Sequence, residues 1–169
     1  AVVNGISLER AVSRMKRFPG VGGRMQLIQQ GQPFQVIIDF AHTPDGLQNV
    51  LETLEKVKVN RVITIMGHSG GNRDSSMRPE LGEIAFEPLE KIYAEILAGR
   101  KDEQTAYECI DNRESAVKRA LEIAQEGDIL LFAGKGVEPY QVIGDEYVPY
   151  NEVETVIASL EALGFQHHE

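Results

Sequence analysis

Three short segments of the 169-residue sequence gather the side chains that could do chemistry. The first is Asp39-Phe40-Ala41-His42-Thr43-Pro44-Asp45. The second is Gly67-His68-Ser69-Gly70-Gly71-Asn72-Arg73-Asp74, with Arg78-Pro79 beyond it, and the third is Gly134-Lys135-Gly136-Val137-Glu138. Between them they carry Asp39, His42, Asp45, Arg73, Asp74, Arg78, Lys135 and Glu138, cations and carboxylates suited to recognising phosphates and zwitterions. Each segment also has a plainer reading. Asp39 and His42 could satisfy local backbone groups, Arg73 and Asp74 could form an exposed ion pair of little worth, and Gly134-Lys135-Gly136 could be a tight turn. It lacks the GxxxxGK[ST] spacing of a phosphate-cradling loop. Cys109 falls inside an expected strand with no histidine near it in sequence, so it reads as a buried thiol, not a nucleophile. His167-His168-Glu169 reads as a frayed end and not as a metal site.

These segments draw meaning from the elements that precede them. Phe34–Phe40, Arg61–Met66 and Ile129–Ala133 read as strands, the last an unbroken apolar run of the kind buried on both faces. In an open parallel sheet, ligands bind outside the carboxyl ends of the strands. If these three strands run parallel, their loops share one rim. Helices are expected over Ser7–Phe18, from Pro44 with Thr43 as N-cap, over Pro79–Ala85 and Glu87–Leu97, from Asp111-Asn112-Arg113-Glu114 to Gln125, and from Asn151 to Gly164. The stripe Leu47, Val50, Leu51 and Leu54 marks the core face of the second. Met25–Gln30 pairs with Phe34–Phe40 as a hairpin, and Gly144-Asp145 joins Tyr140–Ile143 to Glu146–Val148 as another. The pattern is α/β: a Rossmann-like, mostly parallel sheet with flanking helices and edge hairpins.

Composition narrows the function classes. Seventeen Lys and Arg against 26 Asp and Glu give a net charge of −9, a poor match to nucleic acid or to an anionic membrane surface. No apolar run approaches the roughly 18 to 20 residues of a membrane-spanning helix. A single cysteine cannot form an internal disulfide, so the cytoplasm is the expected compartment.

Taken together, Gly22-Gly23-Arg24-Met25, Ile38-Asp39-Phe40-Ala41-His42-Thr43-Pro44-Asp45, Gly70-Gly71-Asn72-Arg73-Asp74, Met77-Arg78-Pro79, Gly82-Glu83-Ile84-Ala85 and Ala133-Gly134-Lys135-Gly136 with Glu138 resemble the C-terminal domain of the Mur ligases. The likeness is greatest to the UDP-N-acetylmuramoyl-tripeptide synthetase branch. It implies an ATP-dependent ligase of peptidoglycan synthesis, with ATP and Mg2+ bound mainly by a preceding central domain. That enzyme activates the carboxylate of UDP-N-acetylmuramoyl-L-alanyl-D-glutamate as an acyl phosphate, which the amine of an amino acid attacks. On the same resemblance, Arg24, Asp39 and His42 would face the ATP cleft. Arg73, Gly134, Lys135 and Glu138 would bind the incoming amino acid, and no residue of the chain is assigned a certain catalytic role. Residues 1–20 would be the end of a preceding-domain helix and its linker, and 21–169 the C-terminal domain.

Two departures from the family pattern stand out. Val137 occupies a position where the family usually has His. The family also continues from Gly-Glu-Ile-Ala into a strand and a specificity motif before reaching a segment like Glu87-Pro88-Leu89. Here Ala85 is followed by Phe86, so about twenty family residues are missing between 85 and 87. The expectation is that Ala85 and Phe86 are not true covalent neighbours. Two other readings remain: a folate- or cyanophycin-type ligase of the same superfamily, and a non-catalytic α/β binding module.

Overall fold

The structure, a computed structural model, describes residues 4–67, 80–81, 84, 91–94, 107–143 and 146–166. The segment 68–79 with Arg73, the Ala85–Phe86 junction, Gly144-Asp145 and residues 167–169 lie outside the described residues.

The chain opens with α1 (Leu8–Met15), capped by the Ser7 hydroxyl, and continues through β1 (Gln26–Ile28) and β2 (Gln35–Ile38) to α2 (Pro44–Glu55). Then come β3 (Val62–Gly67), β4 (Lys91–Ala94), β5 (Tyr107–Cys109), α3 (Arg113–Ile123) and β6 (Ile129–Ala133). A hairpin of β7 (Tyr140–Ile143) and β8 (Glu146–Pro149) leads into α4 (Glu152–Ala162). The caps follow the expected chemistry: Thr43 Oγ1 accepts from the Gly46 N–H, Asn112 Oδ1 from Ser115 and Asn151 Oδ1 from Glu154. Each meets a donor that has no partner inside its helix. Gly164, at φ 91°, ends α4; its N–H donates to the Glu161 carbonyl and that of Phe165 to Leu160.

Among the described residues, six strands form one sheet in the order β1-β2-β6-β3-β4-β5. β2, β6, β3, β4 and β5 run parallel, and β1 joins the edge antiparallel. Side chains alternate across each strand. Ile37, Val62, Met66, Ile129 and Leu131 therefore meet Leu47, Leu51 and Leu54 of α2 on one face. On the other, Val36, Ile38, Ile63, Ile65, Leu130 and Phe132 meet Ala116, Val117, Ala120 and Leu121 of α3 and Val156 and Leu160 of α4. All five β6 residues are buried, as a central parallel strand covered by helices on both faces must be.

Three expectations need correction. Lys91–Ala94, read as part of a helix over Glu87–Leu97, is β4, paired in parallel with β3 on one side and β5 on the other. Backbone donors and acceptors along β3 need partners, and sheet pairing outweighs a local helical pattern. Cys109, read as buried, is exposed. β5 is the last strand of the sheet among the described residues. The β7–β8 hairpin is a separate two-stranded sheet and not an edge of the main one.

Candidate functional site

β2, β6 and β3 are neighbours in the sheet and point the same way, so the loops that follow them leave from one rim. Two of the three loops are described, and they are stitched together. The Asp39 N–H donates to the Phe132 carbonyl at 3.0 Å, and the Gly134 N–H donates to the Asp39 carbonyl at 3.1 Å. Gly134 turns the chain out of β6 with φ 89°, in the left-handed region where a side chain is strained. A Cβ there would lie 3.4 Å from the Gly67 carbonyl oxygen at the end of β3.

Asp39 is buried at 5% exposure. Its Oδ1 accepts from the Ala41 N–H and its Oδ2 from the Met25 N–H, both at 2.7 Å. The plainer reading of this residue therefore holds: its carboxylate serves local backbone. It also has a consequence for the site, because Met25 sits at φ 45°, an uncommon conformation for a side chain with a Cβ. The Asp39 carboxylate holds that turn and so fixes the preceding Arg24 at the rim. The Arg24 guanidinium lies 4.7 Å from the centre of the Phe40 ring, within cation–π range. His42 packs edge-on against the Phe40 ring, with ring centres 4.6 Å apart. Its Nδ1 donates to the Phe40 carbonyl at 2.8 Å. A carbonyl can only accept, so Nδ1 carries the proton and Nε2 is left for another partner.

The segment before β1 closes on the loop after β6. A Cβ on Gly23 would come within 2.8 Å of Gly136 backbone atoms, and one on Gly136 would lie 2.9 Å from the Phe40 ring. Arg24, Asp39 and His42, assigned to one side of the cleft, are thus brought against the Gly134–Glu138 loop, assigned to the other. The Lys135 ammonium, 7% exposed, meets Glu138 Oε2 at 3.3 Å and donates to the Tyr140 carbonyl. Burial pushes the Lys135 pKa below its ordinary value, and the Glu138 carboxylate opposes that fall.

Sequence reasoning missed what lies beneath this loop. Arg113 at the start of α3 and Glu152 at the start of α4 form a buried ion pair, with Nη2 to Oε1 at 2.6 Å. Burial works against the Arg113 charge, but the Glu152 carboxylate outweighs it and raises the pKa. The neighbouring Tyr150 phenol is pushed well above the ordinary tyrosine value, first by burial and then by Glu152. A charged residue directly after each asparagine cap is the only sequence signal for the pair. Nothing in the sequence joins positions 39 apart.

Residues 23–136 match the family described as Mur ligase, glutamate ligase domain, which is more than half of the chain. The chain belongs to this family. A UDP-N-acetylmuramoyl-L-alanyl-D-glutamate--2,6-diaminopimelate ligase from Listeria monocytogenes is 39% identical to this Mur ligase domain over 175 residues. That match covers 94% of this chain and 35% of the relative. A solved structure of an enzyme with the same name superposes with a TM-score of 0.78 at 30% identity, covering 98% of this chain and 37% of the other. The fold of a MurF ligase from Thermotoga maritima, in complex with ADP, matches at a TM-score of 0.58 and 18% identity, over 90% of this chain and 36% of that one. The chain thus spans about a third of the length of the curated relatives it matches. The 175-residue alignment is longer than the 169-residue chain, so the relative holds residues with no counterpart in this Mur ligase domain.

Proposed function

We propose that this Mur ligase domain is the C-terminal part of an ATP-dependent amide ligase. Its substrate would be UDP-N-acetylmuramoyl-L-alanyl-D-glutamate, to which the enzyme adds an amino acid during peptidoglycan synthesis in the cytoplasm. The observation that carries this reading is the 39% identity to a diaminopimelate ligase across 94% of the chain, joined to a rim where three of the family's motifs, 22–25, 38–45 and 133–138, meet. Arg24, Asp39 and His42 line the ATP side, Asp39 through the backbone it holds. Arg73, Gly134, Lys135 and Glu138 serve the incoming amino acid, Arg73 taking its carboxylate and Glu138 its ammonium. Closure of a cleft around these groups would hold the amine near the acyl phosphate and exclude the water that would hydrolyse it.

The preceding central domain would supply the phosphate-binding loop. Among the described residues, no group of three His, Cys, Asp or Glu is placed to hold a metal ion. On the family resemblance, Mg2+ is expected on the triphosphate and the central domain. Residues 1–20 are read as the end of that domain's helix and linker, with 21–169 as the C-terminal domain. This division is supported by α1, which buries none of its residues and leaves Leu8, Val12 and Met15 at 66, 44 and 70% exposure. Such a stripe needs a covering surface. No helix among the described residues is long and apolar enough to cross a membrane. The partners are the muramoyl dipeptide nucleotide, the amino acid and the central domain, with neither nucleic acid nor membrane. The family residues without a counterpart between Ala85 and Phe86 are read as a segment the gene encodes; a gene in which the two codons adjoin would overturn that reading.

The deciding experiment is ligation by the full-length polypeptide, with ATP, the muramoyl dipeptide nucleotide and radiolabelled diaminopimelate or lysine. Incorporation coupled to phosphate release is expected. Turnover of a folate or of an arginine–aspartate polymer in its place would move the protein to another branch of the superfamily.

A further inference from the structure

The buried pair beneath the Gly134–Glu138 loop has a third partner, and that partner gives it a task. The Arg113 Nε donates to Glu152 Oε1 and Oε2 at 3.0 and 3.2 Å, and Nη2 donates to Oε1 at 2.6 Å. The same Nη2 donates to the carbonyl oxygen of Ala133 at 3.1 Å. Ala133 is the last residue of β6, and its carbonyl belongs to the peptide plane that carries the Gly134 N–H. That N–H donates to the Asp39 carbonyl from the opposite side. The peptide at which the loop leaves the sheet is therefore clamped at both ends. The loop's exit is held by the same stretch that supplies Glu152, because the Tyr150 N–H donates to the Pro139 carbonyl at 3.0 Å.

Burying two charges is expensive, and well-packed apolar side chains often hold a core together equally well. What a guanidinium locked by a carboxylate offers, and an apolar pair does not, is a donor aimed in a fixed direction. Arg113 and Glu152 are 8% and 1% exposed. We infer that Arg113, oriented by Glu152, is a positioning residue that sets the Gly134–Glu138 loop through the Ala133–Gly134 peptide. This rests on the reading that the loop receives the incoming amino acid.

The test uses the full-length polypeptide with two variants, Arg113→Met combined with Glu152→Leu, and Arg113→Lys. The double variant removes both charges at similar volume and keeps the core filled, so its Tm is expected to stay near that of the parent. The lysine variant keeps the charge but loses the fork. In both, amide hydrogen exchange across 134–138 is expected to accelerate about tenfold or more relative to β6. The KM for the amino acid is expected to rise by about tenfold, while that for ATP stays within about twofold. A folded variant of either kind with parental exchange at 134–138 would overturn the inference and leave the pair as packing alone. Should the double variant fail to fold, Arg113→Lys decides by the same two readouts. Faster exchange with an unchanged amino-acid KM also overturns it, since the loop's position would then not matter to that substrate. If the parent protein incorporates no amino acid, the functional reading fails, and the exchange data still decide whether Arg113 positions the loop.

Discussion

Asp39 ties two segments of the rim together with one carboxylate, and its replacement should be felt in both. Asp39→Ala leaves the Ala41 and Met25 N–H groups without acceptors. An unsatisfied buried donor costs about 1 to 3 kcal/mol, and Met25 loses the contact that holds its left-handed backbone. Thermal denaturation should show a fall in Tm, larger for alanine than for Asp39→Asn, which keeps one acceptor oxygen. A parental Tm in the alanine variant would mean the carboxylate is not the clasp described here. Arg73 belongs to the same scale, by its chemistry alone. A guanidinium matches a carboxylate with two parallel hydrogen bonds, so Arg73→Ala in the full-length polypeptide should raise the KM for the amino acid far more than that for ATP. The expected loss is about 2 to 4 kcal/mol, roughly thirty- to a thousandfold. Equal effects on both substrates would move Arg73 to the nucleotide side.

At the scale of elements, the site is an encounter between two glycine-rich segments. Gly23 and Gly136 approach so closely that neither position has room for a methyl group. Gly136 also sits at φ 54°, and its missing Cβ is the space the Phe40 ring occupies. Gly136→Ala therefore combines backbone strain of about 1 to 2 kcal/mol with a clash against a ring that Arg24 and His42 both pack on. The variant should fold with a lowered Tm and should loosen both sides of the rim at once, weakening ATP and amino acid together. This contrasts with Arg73→Ala, where only the amino acid should suffer. A Gly136→Ala protein with parental KM values for both substrates would show that the two segments are not coupled through this contact.

For the whole molecule, the proposed function makes this rim half of a catalytic cleft. The described residues supply cations, carboxylates and an imidazole along parallel strand ends, but the sequence has no Walker-type loop to hold a triphosphate. The 169-residue chain alone should release no phosphate from ATP, with or without the other substrates, in a coupled phosphate assay. Turnover by the chain alone would overturn the half-site reading. The same reasoning explains α1, whose apolar stripe finds no burial within the described residues.

The sequence alone determined much of the architecture. Hydrophobic periodicity, proline at the start of α2 and asparagine at the caps of α3 and α4 are local signals. They depend on 3.6- and 2-residue repeats that tertiary contacts only reinforce. The three loops could be placed on one rim for the same reason, since parallel strands put successive carboxyl ends together. What only tertiary structure decided was everything that depends on distance along the chain. Lys91–Ala94 is a strand because its backbone pairs with β3 and β5, a choice its own residues do not announce. Cys109 is exposed because its strand ends the sheet among the described residues. Arg113 and Glu152 meet because α3 and α4 begin side by side beneath β6, and a charged residue after a helix cap gives no hint of the partner it will find. Local propensity is written residue by residue, whereas burial and pairing are properties of which segments the fold brings together.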